Sequence, residues 1–175
     1  MKKFLVIGNP IKHSLSPLLH NYWIKNNNID AIYEKQKLDE NELKHLVSQV
    51  KKKKIEGINV TVPFKKAAIP FLDKLSDEAE KTQSVNTIYL NNNKTIGYNT
   101  DIVGFETSIK KSNYNLNNKE VLILGAGGVV PSIILALIKM KVSKIKISNR
   151  TKQKAENLKK LFKNIEIIEW GELPY

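Results

Sequence analysis

The stretch Gly57-Ile58-Asn59-Val60-Thr61-Val62-Pro63-Phe64-Lys65 decides how the first half of the chain folds. Apolar and polar residues alternate from Ile58 to Val62, and this period of two predicts a strand with one apolar and one polar face. Pro63 has no N–H to donate to a sheet ladder, so the strand is expected to end there. A polar strand face that leads to Lys65 suits the wall of a pocket for a small polyol. An exposed edge strand followed by a solvated lysine is the alternative.

The composition bounds the class of protein. The chain has 175 residues, of which 41% are hydrophobic, so one or two small domains with packed cores are expected. It contains no cysteine, which excludes disulfides and thiolate ligands or nucleophiles. No apolar run reaches the roughly 18 residues of a membrane span, and no signal-peptide cleavage site follows the short apolar run after Lys3. A cytoplasmic protein that crosses no membrane is therefore expected.

The net charge of +12 raises nucleic acid as a partner, but the residue types argue against it. Arg150 is the one arginine among 29 basic residues, and arginine is the usual bidentate reader of phosphate and guanine. The lysines are scattered over predicted helix faces, apart from the run 51–54. The sequence therefore predicts no nucleic-acid partner, whereas an acidic substrate or a phosphorylated cofactor would suit a basic protein.

A loop rich in small polar groups precedes the first helix. It follows a buried strand predicted at 4–8 and runs from Asn9 to Pro17. Ser16 is predicted as the helix N-cap, with Pro17 in the first helical position. The hydroxyls of Ser14 and Ser16 either cap this helix or bind a ligand at its N-terminus, where backbone N–H groups favour an anion.

The rest of the first half alternates strands and helices. A strand is predicted at 31–36, a helix begins at Asp39, strands at 84–90 and 94–99 form a hairpin, and Thr100-Asp101 opens another helix. On local pattern, Asp101 is interpreted as a capping or first-turn carboxylate. The polar stretch 112–118 has no apolar period and predicts a boundary. The predicted domains are therefore 1–112 and 119–175, joined by a linker at 113–118.

Beyond that linker, the pattern is a β-α-β-α-β unit with a glycine-rich first turn. A strand at 119–124 precedes Gly125-Ala126-Gly127-Gly128, and a helix follows. Glycines at this turn let the backbone approach a pyrophosphate that sits on the helix N-terminus. Val130 occupies the third glycine position of the fingerprint, and Pro131 falls in the first helical turn, where its missing N–H costs little. The unit predicts part of a Rossmann-type dinucleotide-binding domain.

The end of the next strand indicates which dinucleotide would bind. A protein that binds unphosphorylated NAD usually places a carboxylate there for the ribose hydroxyls. This chain has Ser148-Asn149-Arg150-Thr151 instead. Arg150 could clamp a 2′-phosphate, Thr151 could hydrogen-bond it, and Lys154, one helical turn on, could add charge. NADP is therefore the predicted cofactor, and the alternative is that these residues only cap a helix.

Several motifs together resemble the shikimate dehydrogenase family. They occur in the family's order and spacing over nearly the whole chain: Gly8-Asn9-Pro10, His13-Ser14 with Ser16-Pro17, Asn59 to Lys65, Val85-Asn86-Thr87, Asn99-Thr100-Asp101, Gly125 to Gly128 and Asn149-Arg150-Thr151. The resemblance implies an α/β fold, in which a substrate domain with a mixed sheet is followed by a Rossmann-type NADP-binding domain. It implies reversible NADPH-dependent reduction of 3-dehydroshikimate to shikimate, a step of chorismate and aromatic amino acid biosynthesis.

The resemblance also implies roles for individual residues. Lys65 corresponds to the catalytic lysine that protonates the new alkoxide in reduction, and Asp101 would hold it in line with the reacting hydroxyl. The residues that correspond to shikimate ligands are Ser14, Ser16, Thr61, Lys65, Asn86 and Asp101. Those assigned to the cofactor are Asp77, Gly125, Ala126, Gly127, Gly128, Val129, Asn149, Arg150, Thr151 and Lys154. The cofactor supplies the chemistry, so no metal is expected, and a homodimer is the candidate assembly.

Two features depart from the family pattern. Val129-Val130-Pro131 replaces the small residues and arginine that usually follow the glycines, and family members run on well beyond Tyr175. A fragment is therefore expected, with one edge of the nucleotide-domain sheet uncovered. The rival predictions are a quinate/shikimate paralogue that prefers NAD, against which Arg150 and Thr151 argue, and a catalytically silent fragment that only binds substrate or cofactor.

Overall fold

The computed structural model describes residues 1–172, which form two compact units. The first unit comprises Met1–Asn99, and the second begins at Thr100. Each unit has its own sheet and its own cluster of buried side chains. No helix within residues 1–172 is long and apolar enough to cross a membrane.

A six-stranded mixed sheet forms the centre of the first unit. Its strands are β1 (Lys2–Gly8), β2 (Ala31–Lys37), β3 (Gly57–Val60), β4 (Lys74–Leu75), β5 (Thr87–Asn91) and β6 (Lys94–Tyr98). Its helices are α1 (Ser16–Asn26), α2 (Leu43–Lys51), α3 (Phe64–Ala67) and α4 (Asp77–Thr82). The strand order is β2-β1-β3-β5-β6-β4, with β3 parallel to β1 and antiparallel to β5. The predicted mixed sheet of the first domain is confirmed.

The amphipathic helix α2 covers one face of this sheet. A 3-10 turn, whose capping box joins Asp39 and Glu42, leads into α2. The apolar stripe of α2 packs against side chains that β1, β3 and β5 project from one face, because residues at every second position share a face. The packed residues are Leu43, Leu46, Val47 and Val50 of the helix and Leu5, Ile7, Ile58, Val60 and Ile88 of the strands. The opposite face of the sheet carries Asn59 and Thr87. Helix α1 is connected to this face through Tyr33, which hydrogen-bonds both Asn21 of α1 and Asn59.

The central strand β3 ends earlier than the sequence predicted. It stops at Val60, because the next four residues form a turn in which the Phe64 N–H donates to the Thr61 carbonyl oxygen at 2.9 Å. Val62 lies in the middle of this turn and is 56% exposed, so the prediction that it continues the apolar face is wrong. Phe64, just past the turn, is buried in the core instead.

The second unit contains the predicted β-α-β-α-β arrangement. After α5 (Asp101–Lys111) come β7 (Glu120–Leu124), α6 (Val130–Lys139), β8 (Lys144–Ser148), α7 (Lys152–Leu161) and β9 (Ile165–Ile168). The three strands are parallel in the order β7-β8-β9. Within the described residues β7 pairs with β8 alone, and Leu124 at its end is 65% exposed. Strand β7 is therefore only partly buried, although its sequence is apolar.

The division between the units differs from the predicted domain boundary. It falls between Asn99 and Thr100, whereas the linker was predicted at 113–118. Helix α5 packs against α6, and its Ile102 is buried in the apolar cluster of the second unit. By its contacts α5 therefore belongs to the second unit, and the polar segment 113–118 lies inside that unit.

Candidate active site

A cavity of about 310 Å³ in the first unit collects three of the predicted ligand residues. Ser14, Ser16 and Thr61 line it, together with His13, Val6, Pro10 and Ile11. Two backbone hydrogen bonds hold its walls together: the Thr61 N–H donates to the Ile7 carbonyl at 2.9 Å, and the Asn9 N–H donates to the Val62 carbonyl at 3.0 Å. The loop after β1 and the turn after β3 therefore border the same cavity.

The start of α1 differs from the predicted cap. Leu15 occupies the N-cap position and Ser16 is the first helical residue. The Ser14 hydroxyl accepts from the Ser16 N–H at 3.3 Å, so Ser14 takes the hydroxyl role that was predicted for Ser16. This leaves the Ser16 side chain to line the cavity at the N-terminus of the helix, where backbone N–H groups favour an anion.

Lys65 and Asn86 are connected through their backbones. Lys65 is half-buried in α3, and its carbonyl oxygen accepts from the Val85 N–H at 2.8 Å. Asn86 follows directly and is 9% exposed. Its N–H donates to the Tyr98 carbonyl at 3.0 Å, and its carbonyl oxygen accepts from the Val60 N–H at 2.8 Å. The backbone that carries Asn86 is thus tied to β3, to β6 and to α3, which carries Lys65.

Asp77 and Asp101 occupy first turns of helices. Asp77 is the first residue of α4 and is exposed, and Ser76 caps that helix by accepting from the Ala79 N–H at 3.2 Å. Asp101 is the first residue of α5 and is half-buried. Neither aspartate is among the residues that line the cavity. The cofactor role of Asp77 and the catalytic role of Asp101 stay predictions.

The glycine-rich turn of the second unit leaves open space before α6. Gly125 has a φ of 109°, which glycine adopts without strain, and its N–H donates to the Ser148 carbonyl at 2.8 Å. A Cβ built on Gly127 or Gly128 would meet no atom within 4 Å. Packing within the chain therefore does not require these glycines, whereas a phosphate that approaches the backbone would. The turn fits the predicted dinucleotide.

Asn149 joins the glycine-rich turn to the end of β8. Its Oδ1 accepts from the Ala126 N–H at 3.0 Å, and its Nδ2 donates to the Thr151 carbonyl at 2.7 Å. Val129, which the sequence assigned to the cofactor, is the N-cap residue of α6 and is 41% exposed. The structure thus brings the two predicted cofactor segments together through one side chain.

A second cavity of about 100 Å³ lies beside Arg150. Its lining consists of Asn149, Arg150, Lys152, Ile167, Ile168, Glu169 and Trp170. The Lys152 ammonium hydrogen-bonds Glu169 at 2.7 Å and holds the pKa of that carboxyl below its usual range. The carboxylate therefore stays ionised and is paired with Lys152, and Arg150 lends the cavity a positive charge. Thr151 and Lys154 are exposed and lie outside this lining.

Sequence reasoning missed several residues at these sites. Lys152, Trp170 and the strand residues beside them border the Arg150 cavity, although their positions carry no local motif. Tyr33 was assigned only to a strand, yet its hydroxyl reaches Asn59 of β3 at 2.7 Å. Among residues 1–172, no group of three or more His, Asp or Glu side chains is placed to hold a metal ion.

Comparisons with known proteins relate both units to the same kind of enzyme. A family model described as the shikimate dehydrogenase substrate binding domain matches residues 6–88. A second model, described as shikimate / quinate 5-dehydrogenase, matches residues 106–174.

Curated relatives share much of the sequence. A protein of Pelagibacter ubique (strain HTCC1062), named shikimate dehydrogenase (NADP(+)), is 63% identical over 171 residues, which are 98% of this chain and 64% of the relative. A protein of the same name from Aquifex aeolicus is 43% identical over 90% of this chain and 58% of its own length. The chain thus spans slightly less than two thirds of the curated relatives it matches.

Solved structures agree with the sequence matches. The crystal structure of shikimate dehydrogenase from Aquifex aeolicus superposes with a TM-score of 0.89 at 41% identity, over 96% of this chain and 62% of that chain. The enzyme from Thermus thermophilus, crystallised in complex with NADP(H) and shikimate, superposes with a TM-score of 0.86 at 32% identity, over 96% of this chain and 63% of that one.

Proposed function

Because the chain belongs to the shikimate dehydrogenase family, we propose that it carries the substrate site and part of the NADP site of an enzyme that reduces 3-dehydroshikimate to shikimate. This reaction is a step of chorismate and aromatic amino acid biosynthesis. The observation that carries the proposal is the cavity that Ser14, Ser16 and Thr61 line together. Three hydroxyls at a helix N-terminus suit a ligand that bears several hydroxyls and a carboxylate.

Different residues of the chain are proposed to bind the substrate and to transfer the proton. Ser14, Ser16 and Thr61 bind hydroxyl or carboxylate oxygens, and Asn86 adds an amide that both donates and accepts. Lys65 gives a proton to the oxygen that becomes the alcohol, and Asp101 is proposed as the second catalytic residue. The cofactor, when bound, supplies the hydride.

The cofactor is proposed to bind along the second unit. The backbone from Gly125 to Val129 faces the pyrophosphate, with Asn149 holding Ala126 in place. Arg150 binds the 2′-phosphate as a charge-assisted partner, helped by Thr151 and Lys154. Asp77 is proposed as a further cofactor ligand. The exposed positive charge of Arg150, beside a Glu169 carboxylate that is paired with Lys152, supports NADP over NAD as the preferred dinucleotide.

The first test is turnover of the chain itself. NADPH absorbance is followed on addition of 3-dehydroshikimate, with Lys65→Ala beside the wild type. We expect Lys65→Ala to lower the rate by about two orders of magnitude or more, because the proton donor is lost. Lys66→Ala is the matched control, since Lys66 is the exposed neighbour in the same short helix. An equal loss in both variants would contradict a catalytic role for Lys65.

Binding must be measured beside turnover, because the chain spans 64% of the relative from Pelagibacter ubique. Isothermal titration with shikimate tests the first unit, and a fluorescence titration with NADPH tests the second. Binding of both without turnover would identify a binding-competent chain that does not turn over by itself. Binding of neither would overturn the proposal. Faster turnover with quinate and NAD than with shikimate and NADP would favour the quinate/shikimate paralogue.

Two further expectations from the sequence stay predictions. One is the cytoplasmic location, which fractionation of the source cells tests. The other is the homodimer, which light scattering coupled to gel filtration tests by giving the molar mass in solution.

A further inference from the structure

A chain of hydrogen bonds connects the edge of the first sheet to Asn86. The Tyr33 hydroxyl donates to Asn59 Oδ1 at 2.7 Å. Asn59 Nδ2 donates to the Asn86 carbonyl oxygen at 3.3 Å and to Thr87 Oγ1 at 3.2 Å. The Thr87 hydroxyl in turn donates to Asn86 Oδ1 at 3.1 Å. Four side chains, from β2, β3 and the segment that begins β5, thus form one continuous network.

The direction of every bond in this network follows from one group. The backbone carbonyl oxygen of Asn86 can only accept, so the NH₂ of Asn59 must face it. Asn59 Oδ1 therefore faces Tyr33, which must donate. Thr87 Oγ1 accepts from Asn59, and the Thr87 hydroxyl hydrogen is donated to Asn86 Oδ1. Because Asn86 Oδ1 faces Thr87, the NH₂ group of the Asn86 side chain points away from Thr87.

Tyr33 is itself held firmly. It lies on the edge strand β2, where the outward backbone groups have no strand to pair with. Asn21 of α1 takes the place of a strand, since its Oδ1 accepts from the Tyr33 N–H at 2.9 Å and its Nδ2 donates to the Tyr33 carbonyl at 2.8 Å. The ring is 4% exposed and packs with Val6 and Ile11, two residues that also line the cavity.

His20 connects the same ring to the other side of the cavity. Its ring stacks on Tyr33 with a centroid distance of 4.1 Å and an interplanar angle of 12°. Its Nδ1 lies 2.9 Å from the Ser16 carbonyl oxygen, which can only accept, so Nδ1 carries the hydrogen. Tyr33 therefore lies between the helix start that carries Ser16 and the network that ends on Asn86.

We propose that Tyr33 is a positioning residue of the substrate site, which acts through Asn59 and Thr87 to fix the orientation of the Asn86 side-chain amide. The proposal rests on the proposed function, because it assumes that Asn86 binds substrate. Its physical basis is the hydrogen bond from the Tyr33 hydroxyl to Asn59 Oδ1, which holds the Asn59 amide with its NH₂ toward the Asn86 carbonyl oxygen and Thr87. Tyr33 touches no substrate in this account.

The protonation state of Tyr33 agrees with its role as a donor. Burial raises the pKa of Tyr33 to about 12. The hydroxyl therefore keeps its hydrogen at neutral pH and can donate to Asn59.

The first experiment observes the Asn86 side-chain amide directly, in ¹⁵N-labelled protein without ligand. Tyr33→Phe removes the hydroxyl alone, and Thr87→Val removes the last donor of the network in a side chain of similar shape. We expect both variants to shift or broaden the Asn86 Nδ2 cross-peaks. The Asn99 side-chain amide, which is buried and donates to the Ser84 carbonyl at 2.9 Å, should stay in place.

Tyr89→Phe is the matched control for this spectrum. Tyr89 lies in β5, two residues from Thr87, and within residues 1–172 its hydroxyl has no hydrogen-bond partner. It should leave the Asn86 signals unchanged. Unchanged Asn86 signals in a folded Tyr33→Phe variant would overturn the proposal. If Tyr33→Phe fails to fold, unchanged Asn86 signals in Thr87→Val would overturn it instead, because Thr87 is the last donor of the network.

The second experiment separates positioning from general stability with a double-mutant cycle on shikimate affinity. We expect Tyr33→Phe to raise the shikimate Kd about tenfold, as the loss of a well-made hydrogen bond does, and to leave NADPH affinity unchanged. In the Asn86→Ala background, Tyr33→Phe should raise the shikimate Kd less than about twofold, because the side chain that Tyr33 positions is no longer present. An equal rise in both backgrounds would overturn the proposal. If the wild type binds no shikimate, the proposed function fails while the amide spectrum still decides the role of Tyr33.

Discussion

Asp73 shows how single side chains hold the first sheet in shape. Its Oδ2 accepts from the Thr95 N–H at 2.8 Å and from the Thr95 hydroxyl at 2.9 Å, and its Oδ1 accepts from Lys51 Nζ at 2.9 Å. These partners, the Thr95 amide first, lower the pKa of Asp73 to about 2. The ionised carboxylate therefore links the C-terminal end of α2 to β6.

Stability should depend on pH through this carboxylate. A folded pKa below the unfolded value of about 3.9 means that Asp73 stabilises the fold above about pH 4 and loses this effect as the pH falls toward 2. We expect Asp73→Asn to lower the urea midpoint at pH 7, with the difference from wild type shrinking as the pH falls from about 4 to about 2. Lys51→Met is the control and should keep most of the pH dependence, because the Thr95 amide is the larger cause. A difference that stays constant with pH would contradict this account.

Arg150 should determine the choice between the two dinucleotides. We expect Arg150→Ala to weaken NADPH binding about 10- to 100-fold, because a charge-assisted pair with the phosphate is lost, and to leave NADH binding unchanged. Fluorescence titrations with both cofactors measure this. Lys160→Ala, exposed in the last turn of α7, is the matched control for net charge. Equal weakening for both cofactors would mean that Arg150 acts through the shape of the loop and does not read the phosphate.

At the scale of elements, the residues of the loop between β5 and β6 determine the turn that joins these two strands. Asn91 pairs with Lys94, so Asn92 and Asn93 form a two-residue loop. Both have positive φ, 47° and 58°, as the turn that matches the twist of a hairpin requires. Asparagine tolerates this conformation better than most residues, and glycine has no Cβ to oppose it.

Glycine should therefore have opposite effects at neighbouring positions of this hairpin. We expect Asn93→Gly to raise the free energy of unfolding by about 0.5 kcal/mol, because positive φ costs glycine little. Asn91→Gly, at the paired end of β5, should lower it by about 0.5 to 1 kcal/mol through the backbone entropy that is lost on folding. Urea unfolding of both variants compares the signs. Two losses of equal size would show that the turn conformation does not limit stability.

At the scale of the whole molecule, the two units have separate cores. The cluster around Leu43 contains residues of the first unit, and the cluster around Ile147 contains residues of the second. Such units are expected to unfold with their own transitions, so a single two-state free energy does not describe the chain. The two tryptophans report on them separately, since Trp23 lies in the first unit and Trp170 in the second.

Core truncations should act on one unit at a time. In a Trp170→Phe background, Trp23 fluorescence should show Leu43→Ala destabilising the first unit by about 2 to 5 kcal/mol. In a Trp23→Phe background, Ile147→Ala should do the same to the transition seen by Trp170. Lys44→Ala, on the exposed face of α2, is the surface control. Equal shifts of both probes by either core variant would mean that the units unfold together.

Part of the candidate site followed from local pattern. The glycine-rich turn and the Arg150 segment are short motifs at the ends of strands, whereas the ligand roles of Ser14, Ser16 and Thr61 came from the family resemblance. Exposure was harder to predict. Val62 and Leu124 have apolar sequence context, yet a turn exposes the first and an edge position exposes the second.

The sequence by itself determined the elements, because side-chain period, caps and turn residues act over a few neighbouring positions. It also determined the family and the residue types available for substrate and cofactor. Only the tertiary structure decided which of these side chains meet. Tyr33 and Asn59 are 26 positions apart, and their bond exists because β1 pairs with β2 on one side and β3 on the other. Likewise Ala126 and Asn149 meet across 23 positions because β7 and β8 run parallel and end together. Such contacts depend on strand order and register, which no short stretch of sequence encodes.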